Sequence, residues 1–174
     1  YYNKPTQEGL FQHYKKIAND VSIPILLYNV PGRTSCDIKP ETVQRLSNVG
    51  NIIGIKEAVD SKERIKKLID LCGEDFLIIS GDDPTAMHTI LSGGKGVITV
   101  TGNIMPMEMH MMCKAALEGD KERAKEFNDK MSAFYELLFI ESNPIPVKYV
   151  LHKMGLIQDG IRLPLTWLSK EKKE

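Results

Sequence analysis

The stretch "NIIGIKEAVD", Asn51–Asp60, carries an apolar run straight into Lys56. Burying an ammonium is costly unless it is paired, so a lysine that closes a strand-like run needs a reason. A neutral lysine amine attacks a carbonyl to form a Schiff base, whose iminium draws electrons from the neighbouring carbon. An apolar, water-poor position disfavours the ammonium and brings its pKa down from about 10.4. The plainer alternatives are a strand end in solvent and a pair with Glu57. Tyr28, in "LLYNVPGRT", offers a hydroxyl that can pass protons to and from a carbinolamine, through a relay because the reference pKa of a phenol, about 10, makes it a weak acid–base alone. It is equally a candidate core aromatic. Arg33, in the loop after Pro31 and Gly32, has a planar fork suited to a carboxylate, although an exposed loop arginine also serves as plain surface.

Other patterns point away from different chemistries. "SGDD", Ser80–Asp83, can place two acids around a cation, but acids gather at helix N-termini anyway, and capping is the preferred reading. "SGGKGVITV", Ser92–Val100, lacks the GxxxxGK[ST] spacing of a phosphate loop, and its glycines precede the strand, so a tight turn is expected. Cys36, Cys72 and Cys113 are scattered without a CxxC pair, which argues against a disulfide framework or zinc site and fits a reducing cytoplasm. His13, His88, His110 and His152 show no metal-binding spacing. The methionines of Met105–Met112 recur at helical spacing and read as core packing.

These residues need elements to hold them. Four apolar, β-rich runs alternate with helix-like segments: Pro24–Asn29, Asn51–Lys56, Phe76–Ser80 and Gly96–Val100. Helices are expected at Thr6–Asp20, Pro40–Leu46, Lys62–Leu71 and Pro84–Leu91. Beyond the last strand the pattern is helical only: Pro106–Leu117, Asp120–Phe139 and Val147–Lys153. Such alternation predicts an α/β fold with parallel strands and right-handed crossovers. Four units make either an open sheet or half of an eight-unit barrel, which needs about 250 residues. Length favours the open sheet or a half; the placement of Tyr28, Lys56, Gly81 and Ile98 at strand C-terminal ends favours the barrel. Strand alternation puts Ile52, Gly54 and Lys56 on one face and Ile53 and Ile55 on the other. Leu26 and Tyr28 likewise share a face, so Tyr28 and Lys56 can meet in one pocket with Gly54 leaving space beneath the lysine.

The 174 residues suffice for a sizeable core, and no compositional break splits them. The 23 basic residues equal the 23 acidic ones, so neither a nucleic-acid surface nor an acidic tail is expected. No apolar run is long enough for a membrane span, and no signal-peptide pattern opens the chain. The start on Tyr1 without methionine and the stop in "KEKKE" read as a processed or fragmentary chain.

Taken in order, "YYNKPTQEGL", "LLYNVPGRTSCDI", "NIIGIKEA", "SGDD", "GGKGVITVTGN", "NPIPVKYVL" and "IRLPL" resemble the dihydrodipicolinate synthase (4-hydroxy-tetrahydrodipicolinate synthase) family. This is the pyruvate-dependent class I aldolase group that includes N-acetylneuraminate lyase. The resemblance implies the C-terminal half of a (β/α)8 TIM barrel: residues 1–105 supply strands five to eight, and 106–174 supply helices packed on the barrel. It implies condensation of pyruvate with aspartate semialdehyde in lysine biosynthesis, without metal or organic cofactor. By the same resemblance Lys56 forms the Schiff base, and Tyr28 relays protons. Tyr2 is a second relay tyrosine inserted into the neighbouring subunit of a homo-oligomer, a dimer of dimers. Arg33 binds the carboxylate of the second substrate, the Ile98 carbonyl lies near pyruvate, Gly81 lines the pocket, and Tyr1 belongs to a lysine feedback site. "YNVPGRT" is the synthase pattern, whereas sialic acid lyases generally lack that arginine.

The family's threonine pair, part relay and part carboxylate site, has no counterpart here. The competing expectations are another pyruvate-dependent aldolase for sialic acid or 2-keto-3-deoxy sugar acids, an inert half-barrel that only self-associates, and a pyruvate-binding module without turnover.

Overall fold

The computed structural model describes residues 2–173. The chain forms two compact units, Tyr1–Ile98 and Thr99–Glu174. In the first unit, α1 (Gln7–Asp20) leads to β1 (Ile25–Asn29), a short α2 (Pro31–Thr34) and α3 (Pro40–Ser47). Then follow β2 (Ile52–Glu57), α4 (Lys62–Cys72), β3 (Leu77–Ser80), α5 (Asp83–Leu91) and β4 (Gly96–Val97). The strands form one parallel four-stranded sheet in the order β1-β2-β3-β4.

Side-chain oxygens begin several helices by accepting orphan backbone N–H groups: Thr6 from Gly9, Ser61 from Arg64 and Asp82 from Thr85. One sheet face is sealed by helices. Leu27, Ile52, Ile55 and Ile78 are buried there in a cluster with Val43 and Leu46 of α3 and Ile65 and Leu68 of α4. Branched, apolar side chains fill these positions because that face excludes water.

Three expectations change. The bend around Pro31 and Gly32, read as loop, contains α2. The fourth strand, expected through Val100, ends at Val97; Thr99 Oγ1 accepts from Gly102 N at 3.0 Å, and Thr101–Asn103 winds into a 3₁₀ turn. The ladder nonetheless reaches one residue further, with Ile98 N donating to Ser80 O at 2.9 Å. Simple alternation also fails in β2. An irregularity in its pairing matches Ile25 to Ile52 but Leu26 to Gly54, so Ile52 joins Ile55 on the core face and Ile53 is exposed. A bulge adds one residue and inverts the faces on one side of it.

The second unit is helical: α6 (Pro106–Leu117), α7 (Lys121–Leu137) and α8 (Ile145–Lys153). α6 packs on α7 and buries Met109 and Met112 as core, while Met107 is exposed. Ile104, Leu138 and Val147 make a separate buried cluster. Among the described residues no helix is long and apolar enough to cross a membrane.

Candidate active site

The registers of the three strand pairs align Tyr28, Lys56, Ile79 and Gly96 in one row across the sheet. The next row is Asn29, Glu57, Ser80 and Val97. The two rows face opposite ways. Tyr28 is 45% exposed on the side away from the helices, whereas Asn29, Glu57 and Ser80 are buried.

On the open face the Lys56 ammonium stands 4.1 Å from the centroid of the Tyr28 ring. The negative face of an aromatic ring attracts a cation, so this contact gives the lysine a defined place beside the tyrosine. Lys56 is half-buried, neither sunk in the core nor free in solvent. The space beside its stem comes from Gly81 after β3: a Cβ there would lie 3.0 Å from Lys56 Cγ and Cε and from Ala58 Cβ. The glycine expected beneath the lysine, Gly54, serves another purpose. A Cβ on it would come within 2.4 Å of Leu77 O and 2.9 Å of Leu26 Cδ1, so it permits close strand approach.

Lys56 and Glu57 do not pair, because adjacent strand residues point to opposite faces. Glu57 instead accepts from Arg64 Nε at 2.8 Å, from Asn29 Nδ2 at 2.9 and 3.1 Å, and from Val59 N at 3.0 Å. Burial pushes its carboxyl above the ordinary range, and Arg64, Asn29 and the Val59 N–H oppose that rise. Asp37 completes the group, accepting from Arg64 and from Asn29 Nδ2 at 2.9 Å. Sequence reading missed this cluster. The one local signal was an acid directly after the lysine.

The remaining candidates sit as follows. Arg33 is exposed on α2, immediately beyond the C-terminal end of β1. Ile98 follows β4 and is 47% exposed. Tyr2 is 88% exposed and is not brought to Lys56 by any contact among the described residues. Tyr1 lies outside the described residues. Asp82 caps α5, with Thr85 N at 3.2 Å and Thr85 Oγ1 at 2.8 Å on its carboxylate, which favours capping over cation binding. Among the described residues no group of three His, Cys, Asp or Glu side chains is placed to hold a metal.

Tyr28, Lys56, Gly81 and Ile98 thus stand at the C-terminal ends of parallel strands, where α/β folds place their sites. A family model described as the dihydrodipicolinate synthetase family matches residues 1–174. A 4-hydroxy-tetrahydrodipicolinate synthase of Pseudomonas aeruginosa is 60% identical over 169 residues, covering 97% of this chain and 58% of that protein. Among solved structures, the chloride-inhibited dihydrodipicolinate synthase of Acinetobacter baumannii complexed with pyruvate is 51% identical with a TM-score of 0.97; the match covers 99% of this chain and 60% of that one. A monomeric dihydrodipicolinate synthase variant is 41% identical with a TM-score of 0.95, covering 99% of this chain and 59% of that one. The chain therefore spans under two thirds of the length of these relatives, and its sheet and helices correspond to part of their barrel with the following helices. From the family match over its whole length, the chain belongs to the dihydrodipicolinate synthetase family.

Proposed function

We propose that this chain carries the Schiff-base half of a 4-hydroxy-tetrahydrodipicolinate synthase, a lyase that condenses pyruvate with aspartate semialdehyde. The observation that carries the reading is the Lys56 ammonium held 4.1 Å from the Tyr28 ring, at the C-terminal end of the sheet. The neutral amine adds to the keto carbon of pyruvate, and loss of water from the carbinolamine gives the iminium. The iminium then accepts the electron pair left when the methyl carbon loses a proton, and the resulting enamine attacks the aldehyde carbon. Tyr28 shuttles protons between the amine and the carbinolamine oxygen. Arg33 binds the carboxylate of the second substrate as a planar fork. The reaction needs no metal or organic cofactor, because the lysine supplies the electron sink.

Tyr2 acts in the site of a neighbouring copy within a homo-oligomer; its exposure of 88% supports a role outside its own subunit. Tyr1 belongs with a regulatory lysine site, and Gly81 and the Ile98 carbonyl line the pyruvate pocket.

The test is incubation with pyruvate and a borohydride reductant, followed by intact-mass measurement and peptide mapping. A reduced adduct on Lys56, absent in Lys56→Ala, is expected. An adduct that persists in that variant, or none in the folded parent chain, overturns the reading for this chain.

A further inference from the structure

The chain between β1 and α3 leaves the sheet at Asn29 and returns to it at Ile38, with Arg33 on the way. Its outgoing foot is tied at Val30, whose carbonyl accepts from Arg33 N at 2.9 Å and Thr34 N at 3.1 Å. Ser35 then takes a left-handed backbone with φ 53°, a conformation that a non-glycine residue holds only when its surroundings enforce it. The returning foot is tied by side chains. Asn29 Oδ1 accepts from Ile38 N at 3.0 Å, and Asn29 Nδ2 donates to Asp37 Oδ1. From α4, Arg64 donates to both Asp37 oxygens and to Ile38 O. Gln7 of α1 adds a bond to Asp37 O at 2.8 Å.

The same Arg64 and Asn29 hold Glu57, the residue after Lys56. A carboxylate at 1% exposure is stable there only because these donors satisfy it. The buried charge therefore works as an anchor. It fixes Arg64, and the remaining edge of the guanidinium fork reaches the returning foot of the excursion. Lys56 needs no such help, since its backbone is paired to β1 on one side and β3 on the other.

We infer that Asn29, Glu57, Arg64 and Asp37 form a positioning clamp that sets the Arg33-bearing segment against the strand end carrying Lys56. Arg64 and Glu57 are positioning residues: they act through Arg33 and touch no reacting atom. The functional meaning of this inference rests on the role proposed above for Arg33.

The decisive variant is Arg64→Lys, which keeps a cation beside Glu57 but cannot span Glu57, Asp37 and Ile38 at once. Asp37→Asn, at a half-exposed position, is the milder companion should the first variant fold poorly. Amide hydrogen exchange followed by peptide mass spectrometry is expected to quicken at residues 33–38, roughly 10- to 100-fold, the scale of losing a charge-assisted hydrogen bond. Exchange at 53–56 and the melting temperature of Asp37→Asn stay near the parent values. Phenylglyoxal modification of Arg33, measured against Arg123, changes in rate as the segment loosens, while reductive trapping of pyruvate on Lys56 is unchanged. Unaltered exchange at 33–38 in both variants overturns the clamp. So does acceleration spread equally over 33–38 and 53–56, which marks a fold-wide support instead. Absence of a pyruvate adduct in the parent chain counts against the proposed function alone, because exchange and Arg33 modification still judge the clamp.

Discussion

The two faces of one sheet, a single residue apart along each strand, have opposite characters. The core-facing row of Asn29, Glu57 and Ser80 is buried, and Glu57 there has a donor for each carboxylate oxygen. The opposite row of Tyr28, Lys56 and Ile79 keeps its polar groups accessible, with the amine resting on an aromatic face. A charge on the core face must be fully paired because water cannot reach it. A charge on the open face stays available for a ligand. Strand parity alone thus divides residues that hold the fold from residues that can react.

The sharpest way to break this comparison is at the amine itself. Lys56→Ala is expected to abolish reductive trapping of pyruvate while circular dichroism and the melting curve change little, because the open face carries little of the core. A large loss of stability would show that the open-face row is structural after all. Tyr28→Phe keeps the ring against the lysine and removes only the hydroxyl. Trapping is expected to slow by about 10²–10⁴, the usual contribution of positioned proton transfer, and a rate within twofold of the parent excludes the relay.

On the core face the largest effect should be on folding. Arg64→Met leaves the Glu57 carboxylate buried without its cation, and urea unfolding is expected to register a loss of about 3–5 kcal/mol. A loss below about 1 kcal/mol would mean that the pair behaves like a surface ion pair. Gly81→Ala probes the border between the two characters. Its Cβ would crowd Lys56 and Ala58 at 3.0 Å, so the lysine must shift, at a cost of about 1–3 kcal/mol shared between stability and trapping rate. Unchanged trapping kinetics would show that the lysine stem moves freely. The smallest effect is expected in the second unit, at Asp120, whose side chain accepts from Arg123 N at 3.0 Å. Asp120→Ala should cost about 1 kcal/mol in thermal unfolding and leave pyruvate trapping alone.

Much of this was legible in the sequence for identifiable reasons. The four apolar runs and their intervening amphipathic segments announce a parallel α/β arrangement, since each strand must be covered by helices. The helix start after Ser80–Asp83 was visible because acids gather at a helix N-terminus, and Asp82 is the residue that accepts there. Lys56 drew notice because an amine at the end of an apolar run is costly to bury. Its meeting with Tyr28 followed from the two-residue period.

Other features were not legible, and each depends on a partner distant in sequence. Ile52 changed faces because β2 is irregular where it pairs with β1, and no single-strand pattern records a register. Gly54 does not make the space beneath Lys56 that alternation suggested; Gly81 does, because what a missing Cβ makes room for is set by the adjacent strand. The partners of Glu57 come from β1, α4 and the segment before α3, so its local neighbour Lys56 was misleading.

The sequence by itself determined the order of strands and helices, the family, and the residue types able to form a Schiff base. Those properties reside in local periodicity, capping and side-chain chemistry. Only the tertiary structure decided which face each residue occupies and which charges neutralise one another. It also showed that the Lys56 ammonium rests against Tyr28 rather than Glu57, since those outcomes arise from strand register and from contacts between elements far apart in the chain.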